Sequence, residues 1–262
     1  MRNPFLVLMV VALAFGACSR YEKILNGGDY ALKYQMALDF YNKQSYNKAA
    51  KLFDNVSGIY RGTSKGDSAA FLQAMSHYHL RDYQLSGFHF ESFYQNFPYS
   101  SFAEEAQYMG AYCAFLQSPR ADLDQAMTNQ AIEFLKAFVT RYPGSERSLR
   151  CIDMVEELQD RLVDKSYISA KLYFDMGEYK SAIVALNNSL EEYPTTGRRE
   201  EVLYMILEAK YNLALYSVAD KQLERYQDAV DEYFSFIGEF PQSSHLADAK
   251  KMYEAARVFV NE

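Results

Sequence analysis

Residues 83–106, YQLSGFHFESFYQNFPYSSFAEEA, set the plan of the chain. Tyr83, Ser86, Phe90 and Phe93 stand at i, i+3, i+7 and i+10, which puts them on one stripe of a helix. Phe97-Pro98 then stops that helix, because proline disfavours helical geometry in the residue before it. Ser100, Ser101, Glu104 and Glu105 follow, the cap and first-turn residues of a next helix.

The cadence recurs. Tyr179, Ala182, Leu186 and Tyr193-Pro194 repeat it, as do Tyr226, Ala229, Tyr233, Phe236 and Phe240-Pro241. Thr128, Ala131, Leu135, Phe138 and Tyr142-Pro143 repeat it with a weaker first residue. Tyr46, Ala49, Phe53 and Tyr60 open the series, with Arg61 where proline would stand. From first residue to proline slot the span is 15 in all five copies, and four of the six prolines occupy that slot. An internal period of this kind is the signature of stacked helical repeats.

Composition agrees. Hydrophobic residues make up 49% of 262, which excludes general disorder, and 12 glycines with 6 prolines suit an all-helical chain. Twenty-three tyrosines and 18 phenylalanines without tryptophan are read first as packing between helices. The net charge of −7 and the lack of a Lys/Arg run argue against nucleic-acid binding and against electrostatic attraction to anionic lipid.

Residues 1–18, MRNPFLVLMVVALAFGAC, carry a charge at Arg2, an apolar run from Phe5 to Phe15, and Gly16-Ala17 before Cys18. This reads as a signal peptide over residues 1–17, too short for a transmembrane helix. Its end resembles a bacterial lipoprotein box, with Phe15 in place of the usual leucine, so Cys18 is the expected lipidation site. Ser19, not aspartate, follows it, which resembles lipoproteins sent on to the outer membrane. The expected mature charge is 26 − 34 = −8, since Arg2 is lost with the signal. Cys113 and Cys151 fall within apolar helical patterns and are expected as buried free thiols.

Along the chain, residues 18–29 read as a lipidated tether with a flexible joint at Gly27-Gly28. Helix pairs are expected near 29–42 with 46–60, 67–80 with 83–97, and from about Phe102 to Tyr142. Phe71, Met75 and Tyr78 repeat the spacing of Tyr34, Leu38 and Tyr41. Nine extra residues lengthen the third pair around 117–124 and the fifth around 216–225, as loops or added helical turns. Residues 146–176 contain neither glycine nor proline and predict one long helix, ended by Gly177. Division into residues 30–145 and 146–262 follows. A last helix near 244–260 has no partner and caps the stack. The expected fold class is all-α, an α-solenoid of five helix pairs plus a C-terminal capping helix.

YNKQSYNKAAKLF at 41–53 and FDMGEYKSAIVAL at 174–186 resemble the tetratricopeptide repeat, across nearly all of residues 30–260. With the lipoprotein signal, the aromatic-Pro-x-Ser turns at Pro98, Pro143 and Pro241, and the long helix, the whole resembles the BamD-type lipoproteins of the outer-membrane β-barrel assembly machine. LQDRLVDKSYISAKLYFDMGEY at 158–179 is the closest local match. Three positions depart from that pattern: Pro194 is followed by Thr195-Thr196, Arg61 replaces a proline, and Ala185 stands where a relative uses arginine to contact its barrel partner.

The resemblance implies a periplasm-facing scaffold on the outer membrane, held there by its N-terminal lipid. Residues 30–145 would hold unfolded barrel substrates, and residues 146–262 would dock on the periplasmic domains of the central barrel protein. Because first helices line the binding side in that repeat family, the implied groove residues are Tyr34, Tyr41, Phe71, Tyr78 and His79. The alternative for each is packing against neighbouring helices.

No catalytic motif, phosphate loop or cofactor fingerprint is present, and an enzyme is not expected. His77 and His79 fall on opposite helix faces, unsuited to one metal, so no metal site is expected. Two other functions compete. A periplasmic adaptor coordinating cell-wall synthesis or division would show a coiled-coil segment before the repeats, and none is visible in residues 19–29. A carbohydrate-binding lipoprotein would need a larger insertion than nine residues.

Overall fold

The computed structural model describes residues 20–63 and 65–260. The signal peptide and Cys18 lie outside the described residues. Among the described residues every regular element is a helix: α1 (Tyr30–Asn42), α2 (Tyr46–Val56), α3 (Gly66–His79), α4 (Tyr83–Asn96), α5 (Ala103–Gln117), α6 (Ala126–Arg141), α7 (Glu146–Asp175), α8 (Tyr179–Glu192), α9 (Arg199–Leu215), α10 (Ala219–Glu239) and α11 (Leu246–Val260). The expected boundaries hold to within a few residues, the 30-residue α7 included.

The stripe predicted from the sequence is the buried one. Its small residues Ala49, Ser86, Ala131, Ala182 and Ala229 are buried at the helix–helix contacts. Seven residues beyond the first position, Phe53, Phe90, Leu135, Leu186 and Tyr233 are buried too. At +10, Val56, Phe93, Phe138, Ser189 and Phe236 complete the set. A small side chain at the first site lets neighbouring backbones approach, and the larger ones fill the space either side, as close packing requires.

Two kinds of turn join the helices. Within the first, second and fourth pairs the chain reverses through a left-handed residue, Gln44 (φ 59°), Arg81 (φ 61°) or Gly177 (φ 81°). In each the next amide donates to the carbonyl five residues back, Ser45 to Phe40, Asp82 to His77 and Glu178 to Tyr173, at 2.8–3.1 Å. This is the Schellman arrangement that satisfies the last carbonyls of a helix. Between pairs, the aromatic before proline leaves helical geometry, at φ −129°, −129° and −122° for Phe97, Tyr193 and Phe240.

A hydroxyl two residues past the proline slot then caps the turn in all five copies. Thr63, Ser100, Ser145, Thr196 and Ser243 accept, through their Oγ atoms, from the backbone amide two residues on, at 3.0–3.3 Å. The apparent departure at Pro194 is therefore none, because Thr196 supplies the hydroxyl. Three of these also donate to a carboxylate on the preceding pair's first helix: Ser100 to Asp67 (2.9 Å), Ser145 to Glu104 (2.6 Å) and Thr196 to Asp160 (2.5 Å). Asp160 Oδ1 accepts from the Gly197 amide as well, at 3.0 Å. Asp160→Ala should therefore lower stability by about 1–3 kcal/mol, because two donors lose a charged acceptor. Thermal unfolding of the single variants and of Asp160→Ala/Thr196→Ala should give non-additive losses. Additive losses would deny the bond any weight.

The two added stretches resolve differently. Residues 118–125 form an ordered link: Arg161 donates to Ser118 Oγ (2.7 Å) and to the Ser118 carbonyl (3.1 Å), and Lys165 to the Asp122 carbonyl (3.0 Å). Gln125 spans the carbonyls of Arg120 and Leu123 from within. In the fifth pair only residues 216–218 separate the helices, and the added length is helical, giving α10 its 21 residues.

The described chain divides into two compact units, one of Met1–Gln117 with Glu133–Cys151, the other of Ser118–Ile132 with Ile152–Glu262. In the first, one core lies among α1, α2 and the start of α3, and a second among α3, α4 and α5. In the second, α7 to α11 share a core, and α11 packs on α10 and α9 as the cap expected from the sequence. Residues 20–25, expected as part of a loose tether, are helical and docked. Tyr21 is buried edge-on against Phe40 (5.5 Å) and its hydroxyl donates to the Lys48 carbonyl (3.2 Å). No helix of the described residues is long and apolar enough to cross a membrane.

Cys113 and Cys151 are free and buried, and burial pushes both thiols up to about 11. Only roughly one thiol in ten thousand is then ionised at neutral pH, and the thiolate is the nucleophile. Both should resist alkylation in the native chain and react fully in denaturant, counted by mass. Rapid native labelling would contradict the packing.

Candidate interaction surfaces

In the first unit, half-buried rings and the exposed His79 run in an unbroken row across the first helices of three pairs and the leading residues of the second helices α2 and α4. Tyr41 of α1 meets Tyr46 at 5.4 Å, and Tyr46 stacks on His79 of α3 at 4.2 Å. Tyr78 meets His79 (5.7 Å), Tyr83 (5.8 Å) and Tyr112 of α5 (6.3 Å). Tyr112 stacks in turn on Tyr108 (6.0 Å) and Phe115 (6.1 Å). The row exists because α1 and α3 each place an aromatic near the C-terminal end, where the Schellman turn brings the next helix's leading tyrosine alongside, and α5 extends it with Tyr108, Tyr112 and Phe115.

Chemically the row is amphipathic and uncharged. Burial lifts the phenols of Tyr41, Tyr78 and Tyr108 above their ordinary value and lowers His79 below its own. All four are neutral at physiological pH, presenting ring faces together with hydroxyl and imidazole hydrogen-bonding groups. Tyr41 Oη and His79 Nε2 lie 3.4 Å apart. Such a surface suits an extended segment with aromatic side chains and free backbone polar groups.

In the second unit, Ile168 and Leu172 near the end of α7 and Met176 just past it stand at i, i+4 and i+8, and all are exposed. Tyr216 stacks on Tyr179 (5.9 Å), which meets Phe174 (5.1 Å), and Val218 is open beside it in sequence. Spacing by four leaves an apolar stripe uncovered by this chain.

The sequence matches the family described as YfiO, outer membrane lipoprotein, over residues 29–226. The chain belongs to that family. It is 24% identical over 210 residues to the outer membrane protein assembly factor BamD of Caulobacter vibrioides, covering 80% of this chain and 69% of that one. To BamD of Rickettsia prowazekii it is 22% identical over 216 residues, covering 82% and 86%. To a putative BamD of Aquifex aeolicus it is 24% identical over 249 residues, covering 94% and 79%. Among solved structures it is similar to the TPR2AB domain of yeast Sti1 in complex with pHSP90, with a TM-score of 0.38, 11% identity, and coverage of 88% of this chain and 100% of that one. It is also similar to a tetratricopeptide protein of Thermus thermophilus, with a TM-score of 0.33, 14% identity, and coverage of 87% and 99%.

In this YfiO-family chain the five groove residues implied by the sequence separate into two groups. Tyr41, Tyr78 and His79 lie on the aromatic row, with His79 exposed. Tyr34 and Phe71 are buried and form the core beneath it: Tyr34 meets Tyr60 at 5.4 Å, and Phe71 stacks on Phe102 at 4.7 Å. Each stands two helical turns before the row's tyrosine on the same helix, and its buried ring is not offered to a ligand. Sequence reasoning missed Tyr46, Tyr83 and Tyr112, which the turns bring in. It also missed a grouping of Asp54, His77 and His89, whose donor atoms all lie within 4.8 Å of one another. Testing His77 against its neighbour His79 could not reveal partners on two other helices.

Proposed function

We propose that this chain is a periplasm-facing scaffold of the outer-membrane β-barrel assembly machine, anchored through lipid on Cys18. The observation that carries the reading is the family match over residues 29–226, together with three relatives that bear the name BamD. The aromatic row of the first unit supports a site for unfolded barrel substrates, whose segments alternate apolar or aromatic side chains with polar ones. Binding there is weak and reversible, since ordering an extended segment consumes much of the contact energy. The exposed stripe Ile168, Leu172 and Met176 supports docking of the second unit on the periplasmic domains of the central barrel protein.

Depletion should lower many unrelated outer-membrane barrels together, and affinity capture from solubilised envelopes should retain one large barrel protein. Cys18→Ser should release the chain from the membrane fraction, because stable anchoring requires the acyl chains. Normal barrel levels after depletion would overturn the reading.

A further inference from the structure

We propose that Asp54, His77 and His89 form a binding site for one divalent transition-metal ion of the zinc class. The residues come from α2, α3 and α4 respectively, and one donor atom from each lies within 4.8 Å of the other two. His77 is 8% exposed, and its Nε2 is buried with no hydrogen-bond partner. The nearest charged atom is Asp54 Oδ1 at 3.6 Å, beyond hydrogen-bond reach. A buried ring nitrogen left without a partner is costly in a folded core, and a cation between it and the carboxylate removes that cost. His89 completes the group, its ring stacked on His77 with centroids 5.1 Å apart.

The supporting residues fit a metal centre. Gln73, itself buried, donates from Nε2 to Asp54 Oδ1 at 2.6 Å, fixing the carboxylate and leaving Oδ2 unengaged by it. Outer partners that orient a ligating carboxylate are a regular part of such sites. Tetrahedral zinc, with bonds of about 2.0–2.1 Å, sets donors roughly 3.3 Å apart. The widest pair must close by up to about 1.5 Å, and Asp54, with its side chain 43% exposed, and half-buried His89 have the freedom to do so. Two imidazoles with one carboxylate suit zinc, nickel or copper and not calcium or magnesium, which take oxygen ligands. A recess of about 170 Å³ lined by Gln73, His89, Ser92 and Asn96 gives water access to a fourth position. Binding would clamp α2, α3 and α4 to one another.

The test uses the full chain in detergent, purified without a histidine tag and stripped with chelator. Zinc titrated by calorimetry should bind at one ion per chain, and cobalt should give the visible absorption of a four-coordinate site. Zinc should also raise the melting temperature. Asp54→Asn and His89→Gln should each lower affinity tenfold or more, and Gln73→Met about tenfold. Circular dichroism identifies which variants are folded, and exposed Asp54 keeps the test open if His89→Gln unfolds. No saturable uptake, or uptake that Asp54→Asn leaves unchanged, would overturn the proposal.

Discussion

Phe93→Ala is expected to destabilise the first unit by about 3–5 kcal/mol, the range for truncating a fully buried phenylalanine. Phe93 is 1% exposed and stands at the +10 position of the repeat stripe. It lies 5.8 Å from Phe71 and 5.2 Å from Phe97, in a cluster that also joins Phe90 and Phe102 to Phe71. Removing the ring takes away one edge-to-face partner and opens a cavity whose walls are other rigid rings. Aromatic walls held by α3, α4 and the turn that follows it relax little, so the loss belongs in that range. The melting transition should fall by on the order of 10 °C. Phe93→Leu keeps most of the volume and should cost under about 1.5 kcal/mol. If alanine and leucine lower the transition equally, the site is not tightly packed.

Lys210→Met is expected to cost about 3 kcal/mol, near the low end for breaking a buried ion pair. Lys210 of α9 donates to Glu232 of α10 at 2.6 Å, with side chains 24% and 12% exposed. The methionine fills the space of the lysine stem but leaves the Glu232 carboxylate enclosed without its cation. The damage therefore comes from the charge left behind and not from lost packing. Lys210→Met/Glu232→Leu removes both charges and should return close to the parent stability or above it. Chemical denaturation of the parent, both single variants and the double variant gives the coupling. A double variant as unstable as Lys210→Met would show that packing, not the stranded charge, sets the cost.

The helices were legible because their pattern is redundant. Five copies of one spacing with four prolines in one slot leave little freedom in where α2, α4, α6, α8 and α10 end. What local pattern could not settle were features decided by partners far along the chain. Nine added residues become a link pinned by Arg161 and Lys165 in one pair and helix in another, because only the first has donors waiting on α7. Thr196 looked like a departure while serine was the residue sought, although a threonine hydroxyl makes the same two bonds. Tyr34 and Phe71 share a helix stripe with Tyr41 and Tyr78, yet only the first two are buried. Spacing along one helix cannot say how far coverage extends. Asp54, His77 and His89 are brought together by the packing of three helices, and no motif spans them.

The berth of Tyr21 bears on how far the body can roam. Tyr21, whose ring is wedged beside Phe40, stands three residues after Cys18, and three residue steps reach at most about 10–11 Å when fully stretched. With acyl chains on Cys18, as proposed, Tyr21 and the part of the α1–α2 core it packs against would lie within roughly that reach of the anchor. The anchor would then act as a short mooring, fixing which end of the chain stays close to the bilayer where barrels are inserted.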